Sequence, residues 1–415
     1  MDTSPDVRLQ SVERGRIKSS ALRILMVTAR YLPYIGGTEI HTYEVARRMA
    51  AAGHDVTVLT TDVSQTLPHV EFSEGVRVLR VPAWPAQHDY YFAPDIYKSI
   101  MSGEWDLIHC QGYHTFVAPF AMMAAYKSGT PYVVTFHSGG HPSRLRNSLR
   151  GVQRLLLRPL LARAKKLIGV SDFETRFFQE RLHQSHDRFM TISNGSYLPK
   201  PEAFQTASSD TLLVSVGRLE RYKGHHRTIS ALPEVVQKYP DVRLRIIGAG
   251  PYESELWQVA KRCGVATRVD IGPVAVDERA YMASILSQAK LSILLSDYES
   301  QGIAILEALA LGIPAVVTHT SGLADLAKGG LVRSVPLHSS PPVIASAILE
   351  QLHRPLIVPD IQLPSWEHCT AELLNLYYEI HEGRCPLDTP YEVLPTKQPN
   401  SRYVSGTNGT SISYQ

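Results

Sequence analysis

The sequence predicts an α/β protein in which two doubly wound domains face a central cleft. The chain has 415 residues, which is too long for one ordinary hydrophobic core. Short apolar runs alternate with amphipathic helical patterns in both halves, and this alternation is typical of parallel sheets covered on both faces. The pattern stops at a segment rich in Pro, Ser and Ala and restarts at Leu212, so we expect one domain on each side of that segment.

These changes of pattern divide the chain into six segments. They are a flexible tail over 1–20, a first domain over 21–196, a linker over 197–209, a second domain over 210–364, a last helix over 365–384 and a disordered tail over 385–415. Both tails are polar and lack periodicity, so they are not expected to form a packed core.

The composition is that of a soluble globular protein with a net charge of only +3. No apolar run is long enough to span a membrane, and residues 1–20 lack the apolar core of a signal peptide. Four cysteines occur without metal-ligand spacing, at positions 110, 263, 369 and 385. We therefore expect a cytoplasmic protein with reduced thiols.

The first domain begins with a predicted βαβ unit. Its strands lie at 23–28 and 55–60, and Gly36-Gly37 precede the helix between them. Paired glycines alone are typical of a turn, and their functional interpretation is a loop whose backbone contacts a phosphate or a sugar. Further strands are predicted at 76–81, 106–110, 132–136, 166–170 and 189–192.

His137 follows the predicted strand at 132–136. The carboxyl ends of parallel strands form the ligand-binding edge of such a sheet, so His137 is a candidate site residue. A purely structural role is the alternative.

A basic helix is predicted over 144–166, where eight basic residues occur and no acidic one. Arg146, Arg150, Arg154 and Arg158 recur at every fourth position among leucines, so they form one stripe. Two interpretations stay open, contact with an anionic membrane and a solvated face. Nucleic acid is not an expected partner, because neither aromatic residues nor a known binding module accompany the charge.

The second domain begins with a strand at 212–216 and a loop that contains Arg218 and Lys223. Both cations follow the carboxyl end of the strand, where they can reach a phosphate. The predicted elements that follow are a helix over 225–238, a strand over 242–247, a helix over 252–263, a strand over 268–271, a helix over 277–288 and a strand over 291–295.

The most informative stretch is 296–314. A polar turn that contains Glu299 follows the strand, Gly302 begins a helix, and Gly312 and Pro314 end it. The first N–H groups of such a helix favour an anion, and glycine lets a ligand approach them.

Glu307 is the one charged residue over 303–311. A carboxylate on so apolar a helix needs a partner. Together with Glu299 it suggests a phosphorylated ligand whose hydroxyl groups bind two carboxylates. The alternative is a core helix in which a neighbouring group satisfies Glu307.

Together, these motifs resemble retaining glycosyltransferases of family 4, which have the GT-B fold of two Rossmann-like domains, over about residues 22–382. Gly36-Gly37-Thr38-Glu39 is similar to the first glycine loop of the family. Gly217-Arg218-Leu219 with Lys223-Gly224 is similar to its diphosphate-binding segment. Glu299 and Glu307, with seven residues between them, match its E-x7-E signature.

The resemblance implies a role for each candidate residue. Arg218 and Lys223 hold the donor diphosphate, Glu299 contacts the donor sugar, His137 contacts sugar hydroxyls and Glu307 binds the ribose. The first four form the predicted catalytic group. The other predicted donor-binding residues are Gly36, Gly37, Gly302 and Ile303.

The resemblance also implies an activity. A sugar moves with retention from a UDP- or GDP-linked donor, bound by the second domain, to a lipid-linked or polysaccharide acceptor of the cell envelope, bound by the first. The last helix crosses back to the first domain. Of the two interpretations of the basic helix, contact with an anionic membrane would place this cytoplasmic protein on the inner face of the plasma membrane. No metal or other cofactor is expected, since the chain has no Asp-x-Asp motif. The alternatives are a catalytically silent GT-B subunit that binds a glycan or a partner, and a sugar-nucleotide epimerase.

Three positions depart from the family pattern. Gln301 stands where an aromatic residue is usual, and Ser196-Tyr197 follow Asn194-Gly195 where an aspartate is common. The segment after Thr318 is short and lacks the usual acidic pattern.

Overall fold

The computed structural model describes residues 21–85, 91–137, 144–198, 211–275, 278–357 and 362–383. The predicted tails lie outside these residues, as does the predicted linker except for its first two residues.

Eight strands form the first sheet, in the order β3-β4-β2-β1-β5-β6-β7-β8. They are β1 (Arg23–Thr28), β2 (Asp55–Asp62), β3 (Val70–Ser73), β4 (Val76–Pro82), β5 (Leu107–Gln111), β6 (Tyr132–Thr135), β7 (Leu167–Gly169) and β8 (Phe189–Thr191). All neighbouring pairs are parallel except β3 and β4. We did not predict β3, because this exposed edge strand has only four residues.

Six strands form the second sheet, in the order β11-β10-β9-β12-β13-β14, with every pair parallel. They are β9 (Leu212–Val216), β10 (Arg243–Ile247), β11 (Val269–Gly272), β12 (Leu291–Leu294), β13 (Ala315–Thr318) and β14 (Arg333–Val335). The last strand was not predicted, since it has only three residues.

Helices connect the strands within each sheet. With the first sheet lie α1 (Gly37–Ala51), α2 (Asp95–Met101), α3 (Val117–Ser128), α4 (Arg144–Leu161) and α5 (Asp172–Leu182). With the second lie α6 (His225–Lys238), α7 (Glu253–Arg262), α8 (Arg279–Gln288), α9 (Ile303–Ala310), α10 (Ser321–Lys328) and α11 (Pro341–His353), and α12 (Trp366–Glu382) ends the described chain. The predicted fold class, two parallel α/β units, is confirmed.

The last helix, α12, packs against the first sheet although it follows the second in the chain. Tyr377 is fully buried in a core that it shares with β1 and α1, and its hydroxyl lies 2.5 Å from Nδ1 of His109. Near the start of α12, Glu367 pairs with the buried Arg48 of α1 at 2.8 Å. Apolar burial and polar contacts therefore both hold α12 on the first unit.

The strand order places the ligand-binding edge of each sheet. The chain turns from one side of the sheet to the other between β1 and β5 in the first unit, and between β9 and β12 in the second. Loops separate at such switch points and leave a crevice outside the carboxyl ends of the strands. The loops after β1, β5, β9 and β12 are therefore the natural positions for a site.

Candidate active site

Two glycine loops bring the units close together. Gly36 precedes α1 and Gly302, with a left-handed φ of +93°, precedes α9. A Cβ on Gly37 would lie only 3.8 Å from Cδ1 of Ile303, so the N-termini of α1 and α9 meet. The predicted glycine-loop residues of the two units therefore lie next to each other.

Lys223 and Glu299 form an ion pair between the loops after β9 and β12. Nζ of Lys223 lies 2.7 Å from Oε1 of Glu299, and the hydroxyl of Ser296 donates to the same oxygen at 2.7 Å. Burial opposes the charge on Lys223, but the carboxylate of Glu299 outweighs it, so the pKa of Lys223 is raised. The lysine is therefore fully charged at neutral pH.

Gly224 allows the two loops to approach. It has a left-handed φ of +74°, and a Cβ there would lie 1.9 Å from the carbonyl oxygen of Leu295 at the end of β12. Any side chain would push the Lys223 loop away from Glu299.

Arg218 lies on the more open side of the same loop. Its guanidinium pairs with Glu220 at 2.8 Å and donates to the hydroxyl of Tyr222 at 2.6 Å. The ring of Tyr222 lies within 6.0 Å of Arg218 and 5.4 Å from Nζ of Lys223. Both predicted cations therefore lie near the ring of Tyr222.

Glu307 is buried on α9, as its apolar helix predicts, and is 3% exposed. Arg279, at the start of α8, donates to its carboxylate at 2.5 Å and to the carbonyl of Tyr197 at 3.2 Å. Burial raises the pKa of Glu307, and Arg279 offsets part of that effect. A neighbouring side chain thus satisfies Glu307, as the core-helix alternative requires, and the ribose-binding role of Glu307 stays a prediction.

His137 lies at the carboxyl end of β6 with a left-handed φ of +51°. Its Nε2 lies 2.7 Å from Oε1 of Gln111, and its ring centroid lies 4.7 Å from that of His41 on α1. Burial, together with the neighbouring histidines, holds the pKa of His137 well below its usual value. The imidazole is therefore neutral at physiological pH.

A chain of hydrogen bonds connects this histidine pair with the Glu299 loop. Nδ1 of His41 lies 2.6 Å from Oδ1 of Asn194. The backbone N–H of Asn194 donates to Oε1 of Gln301 at 2.9 Å, and Nε2 of Gln301 donates to the carbonyl of Asn194 at 3.4 Å. Gln301, one of the departures from the family pattern, therefore joins the two units.

Sequence reasoning missed three of these residues and the contact made by a fourth. Arg279, His41 and Gln111 carry no local motif, and only the fold brings them to the candidate site. Gln301 was noted as unusual, yet its partner Asn194 is 107 positions away in the chain. The structure places Arg218 and Lys223 after β9, Glu299 after β12 and His137 after β6, whereas Glu307 lies within α9.

The basic helix is shorter than predicted. We expected it over 144–166, but α4 ends at Leu161 because the backbone N–H of Lys165 pairs with the carbonyl of Tyr132 and leads into β7. Val152, Leu155 and Leu156 are 57%, 67% and 72% exposed on α4. The side chains of residues 144–149, among them Arg146, lie outside the described structure.

Within the described ranges, no group of three or more His, Cys, Asp and Glu side chains could hold a metal ion. Cys110, Cys263 and Cys369 are free thiols, and Cys385 lies outside the described residues. None of the helices that the structure describes is both long and apolar enough to cross a membrane.

Two family models match successive parts of the chain. Residues 35–196 match the model for Glycosyltransferase Family 4, and residues 199–354 match the model for Glycosyl transferases group 1. The first match covers β2 to β8 of the first sheet, and the second covers β9 to β14.

Individual known proteins are also similar to this chain, in sequence or in fold. The chain is 30% identical to the glycogen synthase of Mycobacterium tuberculosis over 346 residues, which cover 74% of this chain and 81% of that protein. The sucrose-phosphate synthase of Thermosynechococcus elongatus superposes with a TM-score of 0.72 at 19% identity, covering 87% of this chain and 99% of that one. Anabaena HepE, solved with UDP and glucose, gives 0.65 at 18% identity with the same coverages.

The two solved structures are too distant in sequence to show more than the fold. The family models and the relative at 30% identity carry the assignment further. The chain belongs to glycosyltransferase family 4 and has the GT-B fold.

Proposed function

We propose that this glycosyltransferase moves a sugar, with retention of the anomeric configuration, from a UDP- or GDP-linked donor to a lipid-linked or polysaccharide acceptor, without a metal. The ion pair between Lys223 and Glu299, beside the N-terminus of α9, carries the proposal. In this pair, a cation that can bind a phosphate lies next to a carboxylate that can accept a hydrogen bond from a sugar hydroxyl. The UDP found with HepE supports a nucleoside diphosphate as the leaving group.

The diphosphate would bind between the two glycine loops. Transfer leaves a second negative charge on the nucleotide, so fixed positive groups lower the barrier. Lys223 and Arg218 supply two charges around Tyr222, and the first N–H groups of α9 have no acceptor within the helix. These groups would take the place of a divalent ion.

Glu307 would bind the ribose. Arg279 neutralises its charge in the protein without ligand. A ribose diol can donate two hydrogen bonds to the carboxylate without adding charge, so it can bind while Arg279 stays in place. The charges of Glu307 and Arg279 would then still neutralise each other when the ribose is bound.

The acceptor would approach along the first unit, where α4 presents exposed leucines beside arginines. Apolar side chains between cations favour the surface of an anionic membrane. A lipid-linked acceptor would then meet the cleft from the membrane side.

A donor screen with product analysis tests the proposal. Incubation with UDP-glucose, UDP-N-acetylglucosamine or GDP-mannose in EDTA, with and without a lipid extract, should release nucleotide from one donor, and NMR should show an α-linked product. Conversion of the donor to another nucleotide sugar would favour the epimerase. Binding without any turnover would favour the silent subunit.

A further inference from the structure

Gln111 lies at the carboxyl end of β5, where the first sheet switches direction. It pairs in register with Thr28 of β1 and with Thr135 of β6, and its side chain is buried. His137 follows β6 by two residues. The edge that we assign to ligand binding therefore holds an amide directly beside the predicted sugar-binding histidine.

The contact between the two side chains couples the protonation of the imidazole to the orientation of the amide. Oε1 of Gln111 lies 2.7 Å from Nε2 of His137. Because a carbonyl oxygen only accepts hydrogen bonds, this orientation requires a proton on Nε2. In a neutral ring the lone pair then lies on Nδ1, which makes that nitrogen an acceptor.

The other end of the same amide is left open. Nε2 of Gln111 is buried and has no hydrogen-bond partner among the residues that the structure describes. Buried polar groups are nearly always satisfied, so an unsatisfied amide nitrogen calls for an explanation. Among the described residues, His137 is therefore the one hydrogen-bond partner of the Gln111 side chain, as expected of a residue that positions the imidazole.

We propose that Gln111 is a positioning residue, which holds His137 in the Nε2-protonated form so that Nδ1 accepts a hydrogen bond from a hydroxyl of the donor sugar. The inference rests on the proposed function and deepens it. The substrate class is a donor sugar that carries a free hydroxyl at the carbon next to His137. A donor analogue that lacks this hydroxyl loses the hydrogen bond to Nδ1.

Nitrogen NMR of the full chain labelled in histidine tests the protonation directly. The His137 signals are identified by their loss in His137→Asn. We expect a protonated Nε2 and an unprotonated Nδ1 in the wild type, and a redistribution of the proton in Gln111→Leu. Protonation at Nδ1 in the wild type would overturn the inference, whether or not the protein transfers sugar.

Kinetics test the consequence for the reaction. Gln111→Leu should lower kcat roughly tenfold through misplacement of one hydrogen bond, with nucleotide affinity changed less than about twofold. The matched control is Gln153→Leu, which removes an amide bound to the carbonyl of Tyr113 in the same unit. An unchanged kcat in Gln111→Leu would contradict the positioning role.

Gln111→Glu keeps the shape and the accepting oxygen but adds a charge. The titratable groups that face His137 are His41, His109 and His114, which are bases without negative charge, so the new carboxylate is what changes the charge beside the ring. The variant should keep the Nε2 proton, raise the pKa of His137 and lose activity as the pH falls, because the second proton occupies Nδ1. A pH profile identical to the wild type would contradict the inference, and inactivity of the wild type on every donor would instead remove the proposed function.

Discussion

At the scale of single residues, the charges of the candidate site are paired before any ligand arrives. Lys223 is held by Glu299, Arg218 by Glu220 and Glu307 by Arg279. The sequence could predict which of these residues belong to motifs, because the motifs are local. It could not predict the partners of Glu307 and His137, because Arg279 lies 28 residues from Glu307 and Gln111 lies 26 residues from His137 in the chain.

Replacing both cations tests their role in transfer. In Arg218→Ala with Lys223→Ala, the diphosphate loses two positive contacts at the step where its charge grows, so transfer should fall by at least about a hundredfold. Nucleotide release is the measurement. Lys261→Ala with Arg262→Ala, which removes two exposed cations from α7 in the same unit, is the matched control. Turnover that persists in the first variant contradicts the assignment.

At the scale of secondary structure elements, α4 and the loop around Gln301 show where pattern reasoning succeeds and where it fails. The spacing of arginines and leucines predicted α4, but not its end at Leu161, which depends on the pairing of Lys165 with Tyr132 across the sheet. Likewise, nothing local reveals that Gln301 binds Asn194. Non-local hydrogen bonds decide both features.

Charge reversal on α4 tests the membrane surface. Arg154→Glu with Arg158→Glu should lower sedimentation with anionic liposomes at least tenfold, since each basic residue near such a surface contributes about 1 kcal/mol. Lys261→Glu with Arg262→Glu makes the same charge change on α7 and serves as the control. If both variants bind the liposomes equally, the arginine stripe of α4 is a solvated face and does not bind membranes.

At the scale of the whole molecule, alternation of strands and helices was enough to predict two parallel α/β units, and the order of the motifs was enough to identify the family. The approach of the units was not predictable in detail. It depends on the close contact of α1 with α9 and on the hydrogen bonds between Gln301 and Asn194. These contacts join residues that lie far apart in the chain.

The central claim is metal-independent recognition of one nucleoside diphosphate, and calorimetric binding of UDP, GDP and ADP in EDTA tests it most directly. We expect one nucleotide to bind, and Glu307→Gln to weaken it at least tenfold through loss of charge-assisted bonds to the ribose. Glu350→Gln, which breaks the ion pair with Arg333 elsewhere in the same unit, should bind like the wild type. No binding of any nucleotide, or equal affinity in both variants, would contradict the account.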